Sequence, residues 1–296
     1  MDDHDTLHRF EFENLPIRGE IVKLEASLRE IASRHDYPPA VQNLLGELMV
    51  AASLLSATIK FEESLIIQLQ GDGPVSMIVV ECTSQFTLRG LAHWSGDITQ
   101  KKLPELIGEG RLVITVDPGS KTNRYQGIAQ LEGDSIAEVI ENYLARSEQL
   151  RTHLWIAVND LAAAGMLIQK IPDENDIEFE DEIDDTWERV EILGTTIKND
   201  ELLELPVKKI LRRLFHQDDI RLYEPEPVSF RCSCSRDRVR EVLRALGHEE
   251  VASILSERET VGVNCEFCNL HYEFDRIDAE QIFTADFPPD VPATRH

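Results

Sequence analysis

Apolar and polar positions change rhythm along this chain, and each rhythm predicts an element. Residues 8–23 alternate in short runs and read as strands. Residues 26–35 form a short amphipathic helix, stopped by Asp36-Tyr37-Pro38-Pro39. A longer helix follows over 41–59, with Leu44, Leu45, Leu48, Ala51, Ala52 and Leu55 on one side. A strand-rich stretch comes next. Residues 64–70 and 75–81 flank Gly71-Asp72-Gly73-Pro74, a hairpin turn by its residue types. Residues 85–93 continue it, and 112–116 and 124–131 flank a second turn at Asp117-Pro118-Gly119-Ser120. Ser135-Ile136-Ala137-Glu138 is a capping box that opens a helix reaching about Arg146. Residues 152–158 and 164–170 read as one more strand pair. No period of 20–50 residues recurs.

At Pro172 the pattern breaks. Nine acids fill the thirteen residues 173–185, a solvated or disordered tract by composition. Leu203, Val207, Ile210, Leu211 and Leu214 then form a helical stripe, with Lys208, Lys209, Arg212 and Arg213 opposite and the regular helix starting near Pro206. Such helices cannot bury an apolar face alone and must dock on a neighbour. Beyond Pro225 and Pro227, residues 236–246 and 249–255 read as helices. Residues 259–263 and 270–274 read as a hairpin, and the tail past Phe287 as frayed.

Composition narrows the function. The 296 residues are 42% hydrophobic, enough for one sizeable core and a smaller module. Net charge is −25, and eight arginines face thirteen acids over 228–296. That balance argues against phosphate or nucleic-acid binding. The opening Met1-Asp2-Asp3-His4-Asp5 has neither a basic nor an apolar leader region, so no signal peptide is expected. The most apolar stretch, 44–61, is broken by Glu47, Ser53, Ser56 and Lys60 and reads as a buried helix rather than a membrane span.

The chemistry gathers in the last quarter. Cys232-Ser233-Cys234 and Cys265-Glu266-Phe267-Cys268 stand thirty residues apart in a chain with one other cysteine. Two close pairs of thiolates match a tetrahedral Zn²⁺ site of the four-cysteine type. Few cysteines at metal spacing suit a reducing cytoplasm. The fold is therefore read as α+β in three parts: an N-terminal sheet-plus-helix domain over 1–171, an acidic helical linker over 172–229, and a small zinc module over 230–296. A module of that size gains little from its own core, so its fold should depend on the metal.

Two readings of the metal stay open: a structural zinc ribbon, and a thiol switch. In the switch, joining Cys265 to Cys268 removes two ligands and releases the zinc, and the C-x-C sulfurs are also close enough in sequence to meet. Arg231, Arg236 and Arg238 lie near in sequence and would favour the thiolates. His248 and His271 could replace a ligand, though the sulfur set is already complete. Cys82, in the apolar run Val79-Val80-Glu81-Cys82, reads as an inert buried thiol. Gly71-Asp72-Gly73 lacks the spacing of a phosphate loop, and the acids of 173–185 lack the EF-hand pattern. Nothing in 1–170 declares catalysis, and the chain is not read as an enzyme.

With these residues in view, the chain resembles the 33 kDa chaperonins, the redox-regulated heat-shock holdases of bacteria. Beyond the four cysteines, the resemblance is carried by Leu69-Gln70-Gly71-Asp72-Gly73-Pro74, Tyr125-Gln126-Gly127, Tyr143 through Arg146-Ser147-Glu148-Gln149, and Ala163-Ala164-Gly165-Met166-Leu167-Ile168-Gln169. The family often has two glycines where this chain has Ala164-Gly165. The resemblance implies a cytoplasmic, ATP-independent chaperone, inactive while Cys232, Cys234, Cys265 and Cys268 hold one zinc per chain. It further implies disulfides Cys232–Cys234 and Cys265–Cys268 on oxidation, zinc release, unfolding of module and linker, and homodimers that bind unfolding client proteins. Clients would then pass to ATP-driven chaperones. No membrane or nucleic-acid partner is implied. The rival readings are a zinc-ribbon nucleic-acid module, a static zinc-ribbon scaffold and a C-x-x-C thiol–disulfide oxidoreductase. The acidic module opposes the first, and placing the C-x-x-C in a strand hairpin opposes the last.

Overall fold

A computed structural model describes residues 3–99, 102–119, 124–171 and 180–284. The chain forms two compact units, Met1–Arg231 and Cys232–His296. The first begins with strands β1 (Thr6–Phe12) and β2 (Ile17–Leu24) and helices α1 (Ala26–Ala32) and α2 (Pro39–Thr58). Strands β3 (Ser64–Gly71), β4 (Val75–Thr83) and β5 (Thr87–Trp94) follow, then α3 (Leu103–Ile107), β6 (Gly110–Asp117) and β7 (Tyr125–Gln130). Helix α4 (Ile136–Tyr143) runs into a π-turn at Leu144–Glu148, ahead of β8 (Thr152–Val158) and β9 (Ala163–Lys170). Helices α5 (Glu180–Thr195), α6 (Asn199–Glu204) and α7 (Val207–Leu214) lead to three short strands, β10 (Ile220–Leu222), β11 (Glu226–Pro227) and β12 (Ser229–Phe230).

These strands make two sheets. One has the order β10-β1-β2-β9-β8, with β11 also on β1; the other runs β12-β5-β4-β3-β6-β7. Helix α2 packs against strands of both, which is why it is apolar almost all round. It is long and apolar enough to cross a membrane, but 72% of its most apolar window is buried. In the second sheet β4 alternates, burying Val75, Ile78, Val80 and Cys82. The first sheet is covered on both faces, so seven of the eight residues of β9 are buried and alternation disappears. Its other face carries Phe10, Phe12, Ile21 and Met166, packed with Trp187, Val190, Ile210 and Leu214 of α5 and α7.

The segment read as a linker thus differs from its expectation. Its helices do dock by an apolar stripe. The stripe starts at Leu202, which is buried; Leu203 is only partly so. Residues 180–185 are the first turns of α5, not a disordered tract. Residues 172–179, like the tail past Phe287, lie outside the described residues. Strands β10 to β12 join the sheets of the first unit, β12 lying parallel to β5. The helix opened by Ser135 also ends earlier than expected. Ser135 Oγ accepts from Glu138 N, but Glu138 Oε2 accepts from Asp134 N, and the last turn is π rather than α.

The elbow between α6 and α7 is held by two charges. Pro206 breaks the helix. Lys23 Nζ, on β2, donates to Leu203 O (3.0 Å) and Leu205 O (2.5 Å) at the C-terminal end of α6. Asp3 Oδ2 accepts from Val207 N (2.7 Å), the first residue of α7. Cation at a C-terminus and anion at an N-terminus both suit the helix dipoles. Replacing Lys23 with Met leaves two carbonyls without their donor, at a cost of about 1–3 kcal/mol. Amide exchange over 199–214 should then quicken roughly tenfold or more, with β3–β6 unchanged. Unaltered exchange there would show that the apolar stripe alone sets the docking.

Candidate metal centre

The second unit holds α8 (Arg236–Leu246), α9 (His248–Glu257), the hairpin β13 (Val261–Asn264) and β14 (His271–Phe274), and α10 (Arg276–Thr284). Its core is small: Val239, Leu243, Val251, Leu255, Val261, Phe274, Ala279 and Ile282. Arg236 ties its parts together. The guanidinium stacks on the Phe274 ring at 4.2 Å, donates to Glu273 O and pairs with Asp278 at 2.7 Å.

All four cysteines of the two motifs meet here. Cys232 and Cys234 lie on the extended segment before α8, and Ser235 caps that helix by accepting from Arg238 N. Cys265 and Cys268 sit in the turn between β13 and β14. Cys265 N donates to Leu270 O and Asn269 N to Cys265 O, and Asn269 takes a left-handed φ of 58° to close the turn. The ligating atoms lie within 4.8 Å of one another. Two close approaches cross between motifs: Cys232 Sγ to Cys265 Sγ is 3.7 Å, and Cys234 Sγ to Cys268 Sγ is 3.4 Å. Zn–S bonds of about 2.3 Å in a tetrahedron set sulfurs roughly 3.8 Å apart, so the quartet fits such an ion in both donor type and spacing.

Burial pushes the Cys232 and Cys268 thiols up. At Cys234 burial acts the same way, but the Tyr272 hydroxyl and the neighbouring thiols outweigh it and bring that thiol down to about 7. Tyr272 Oη donates to Cys234 Sγ at 3.2 Å, and this bond pushes the phenol up to about 12. Without a cation, four crowded thiols cannot all ionise; a divalent ion takes them as thiolates.

The sequence missed Tyr272 and looked to arginines instead. Arg236 is engaged by Phe274, Glu273 and Asp278, and Arg238 donates to Ser233 Oγ at 2.6 Å. Pairing Val263 with Tyr272 across the hairpin is what brings the phenol near. The histidines stay outside the quartet: His271 Nδ1 is 2.6 Å from Asn264 Oδ1, and His248 meets Phe283 edge-on. Cys82 is fully buried on β4, and burial raises its thiol to about 12, the state of an inert core residue. The Gly71–Gly73 turn packs on α3, with Asp72 Oδ1 accepting from Glu109 N. A Cβ at Gly73 would lie 2.6 Å from the Leu106 carbonyl oxygen, which explains the glycine.

Fold and site together define an α+β protein with a separate small unit carrying a four-thiol cluster of metal-site geometry. The chain belongs to the Hsp33 family of heat-shock chaperones, whose family model, described as Hsp33 protein, matches residues 5–275. It is 48% identical to the 33 kDa chaperonin of Nitrosococcus oceani over the whole of both chains, and 44% identical to that of Methylobacillus flagellatus over 99% of each. The crystal structure of the 33 kDa chaperonin of Thermotoga maritima shares the fold, with a TM-score of 0.81 at 23% identity, covering 96% of this chain and 100% of that one.

Proposed function

We propose that this chaperone is a redox-switched, ATP-independent holdase of the cytoplasm. Cys232, Cys234, Cys265 and Cys268 hold one Zn²⁺ as thiolates in the reduced, inactive chain. Oxidation joins Cys232 to Cys234 and Cys265 to Cys268. Each disulfide gives two electrons to one peroxide, which leaves as two waters, so two peroxides convert one chain. Zinc departs, since disulfide sulfurs are no longer thiolate ligands. The observation that carries this reading is the cluster itself: four sulfurs within 4.8 Å in a unit whose core is eight side chains.

Loss of that unit then weakens the segment joined to it. Cys232 comes directly after β12 and Arg231, and β10 to β12 run back to the docked helices. Once α5 to α7 detach, Phe10, Phe12, Ile21 and Met166 on the sheet and Trp187, Val190, Ile210 and Leu214 on the helices become apolar surface for unfolding clients. The activated form dimerises and later yields clients to ATP-driven chaperones. It engages neither nucleic acid nor membrane.

Light scattering of a thermally unfolding client tests the reading directly. Reduced, zinc-loaded chain should leave aggregation unchanged. Peroxide-treated chain should suppress it near equimolar ratio while releasing one zinc per chain. Zinc release without protection would instead leave a structural ribbon.

A further inference from the structure

Three of the sequence stretches that carry the family resemblance take no part in the thiol switch, yet they line one cavity in the first unit. Tyr125 comes from the first, Tyr143 and Glu148 from the second, and Gln169 from the third. The cavity has a volume of about 320 Å³, within the range of small-ligand sites. Its walls are apolar: Leu55, Ile59, Ile114, Val116, Leu144 and Leu150.

The polar groups are built in. The π-turn after α4 brings residues five apart over one another, and so sets Glu148 beside Tyr143. Both phenols donate to Glu148 Oε1, Tyr125 at 2.7 Å and Tyr143 at 2.8 Å. Gln149 ends the turn in a left-handed conformation, φ 57°. Gly127 is required beneath: a Cβ there would stand 1.9 Å from the Tyr143 hydroxyl oxygen.

Among the described residues of the lining, Arg18 supplies the one cation. Its Nε and Nη2 reach Gln169 Oε1 at 3.2 and 2.5 Å, and Nη2 also donates to Thr58 O at 3.1 Å. Gln169 is 2% exposed, and its orientation is fixed because Nε2 donates to Thr152 Oγ1 at 2.8 Å. These acceptors are neutral, and among the described residues Nη1 has no partner. The guanidinium is therefore held by one edge, on neutral acceptors, with donors to spare.

We propose that this cavity binds an apolar carboxylate: one hydrocarbon body ending in one COO⁻, with the acid on Arg18 Nη1 and the body against the leucine, isoleucine and valine walls. Two sources carry that chemistry, a free aliphatic acid and the C-terminal apolar residue of a polypeptide. Binding requires neither oxidation nor metal release, so its failure leaves the holdase reading standing.

The test is titration calorimetry on the reduced full-length chain. The probes are decanoate against decan-1-ol, and an acetylated hexapeptide ending in Leu-Leu as free acid against its amide. At least one acid should bind roughly tenfold to a hundredfold tighter than its neutral counterpart, the loss expected for a charged hydrogen-bonded pair. Arg18→Gln should erase that preference, and Ile59→Trp, at a half-open wall position, should weaken acid and neutral probes alike. Binding of decanoate alone identifies the free acid as the source, and of the peptide alone the chain end. Equal affinity for acid and neutral probes, an unchanged preference in Arg18→Gln, or no binding at millimolar probe overturns the proposal. The acid–neutral comparison uses the unaltered chain and so decides even if a variant fails to fold.

Discussion

Replacing Cys268 with serine is expected to unfold residues 232–284 as a block while the first unit stays folded. Cys268 is the most buried of the four thiols, at 8% exposure. A module this small rarely gains more than about 3–5 kcal/mol from its core, whereas a four-thiolate zinc site supplies roughly 10–16 kcal/mol of apparent binding energy. Three sulfurs and a hydroxyl hold the ion far less tightly, so the balance turns against the fold. Hydrogen exchange should show α8, α9, β13 and β14 near their unprotected rates, while β3, β4 and β6 keep theirs. Metal content should fall from one per chain to near zero, and a chelator acting on the parent chain should give the same exchange map. Cys82→Ser, placed in the other unit, should leave metal content unchanged. Full protection of α8 to α10 in a metal-free variant would show that eight apolar side chains and the Arg236 contacts suffice, and would remove the switch's physical basis.

Legibility in the sequence tracks the range of each interaction. The thiol pairs were legible because ligand spacing within C-x-C and C-x-x-C is local, and the hairpin around Cys265 and Cys268 because turn residues separate two short apolar runs. Tyr272 was not, since its reach to Cys234 depends on hairpin register and on how α8 returns. The short strands β10 to β12 carry too few residues to show a period, so a segment woven into both sheets of the first unit looked like a connector. In α3 five residues starting Leu103-Pro104 gave no stripe, and α10 left no signal distinct from the tail. The cavity beside Arg18 was the least legible of all. Its groups come from β2, α2, β6, β7, α4, the π-turn and β9, and only the packing of two sheets around one helix brings them together.

Glu20→Gln is expected to stabilise the first unit, and to do so more as pH rises. Glu20 is 2% exposed on β2, paired across the sheet with Leu167, on the face that carries Val22 into the core shared with α2. Its Oε2 has no partner among the described residues. Burial raises the carboxyl to about 8, against an ordinary value of 4.5, with Arg18 and Arg9 pulling weakly the other way. The folded chain therefore keeps this proton while the unfolded chain gives it up. Stability from this group is full below about pH 4.5 and is lost as pH climbs toward 8, at about 1.4 kcal/mol per unit. Glutamine keeps the shape and never ionises. The variant's advantage should grow from about 1 kcal/mol at pH 5.5 to about 5 kcal/mol at pH 8.5. Urea unfolding followed by tryptophan fluorescence measures this cleanly, because Trp94, Trp155 and Trp187 all lie in the first unit. Glu47 on α2, raised by burial to about 7, adds a slope of the same sign to parent and variant alike and cancels from the difference. A gap that does not widen with pH would mean that water or rearrangement solvates Glu20 in the folded chain. A widening gap would also explain how Arg18, two residues along the same face, keeps its charge: a protonated neighbour does not neutralise it, and the guanidinium stays available to an acid from outside.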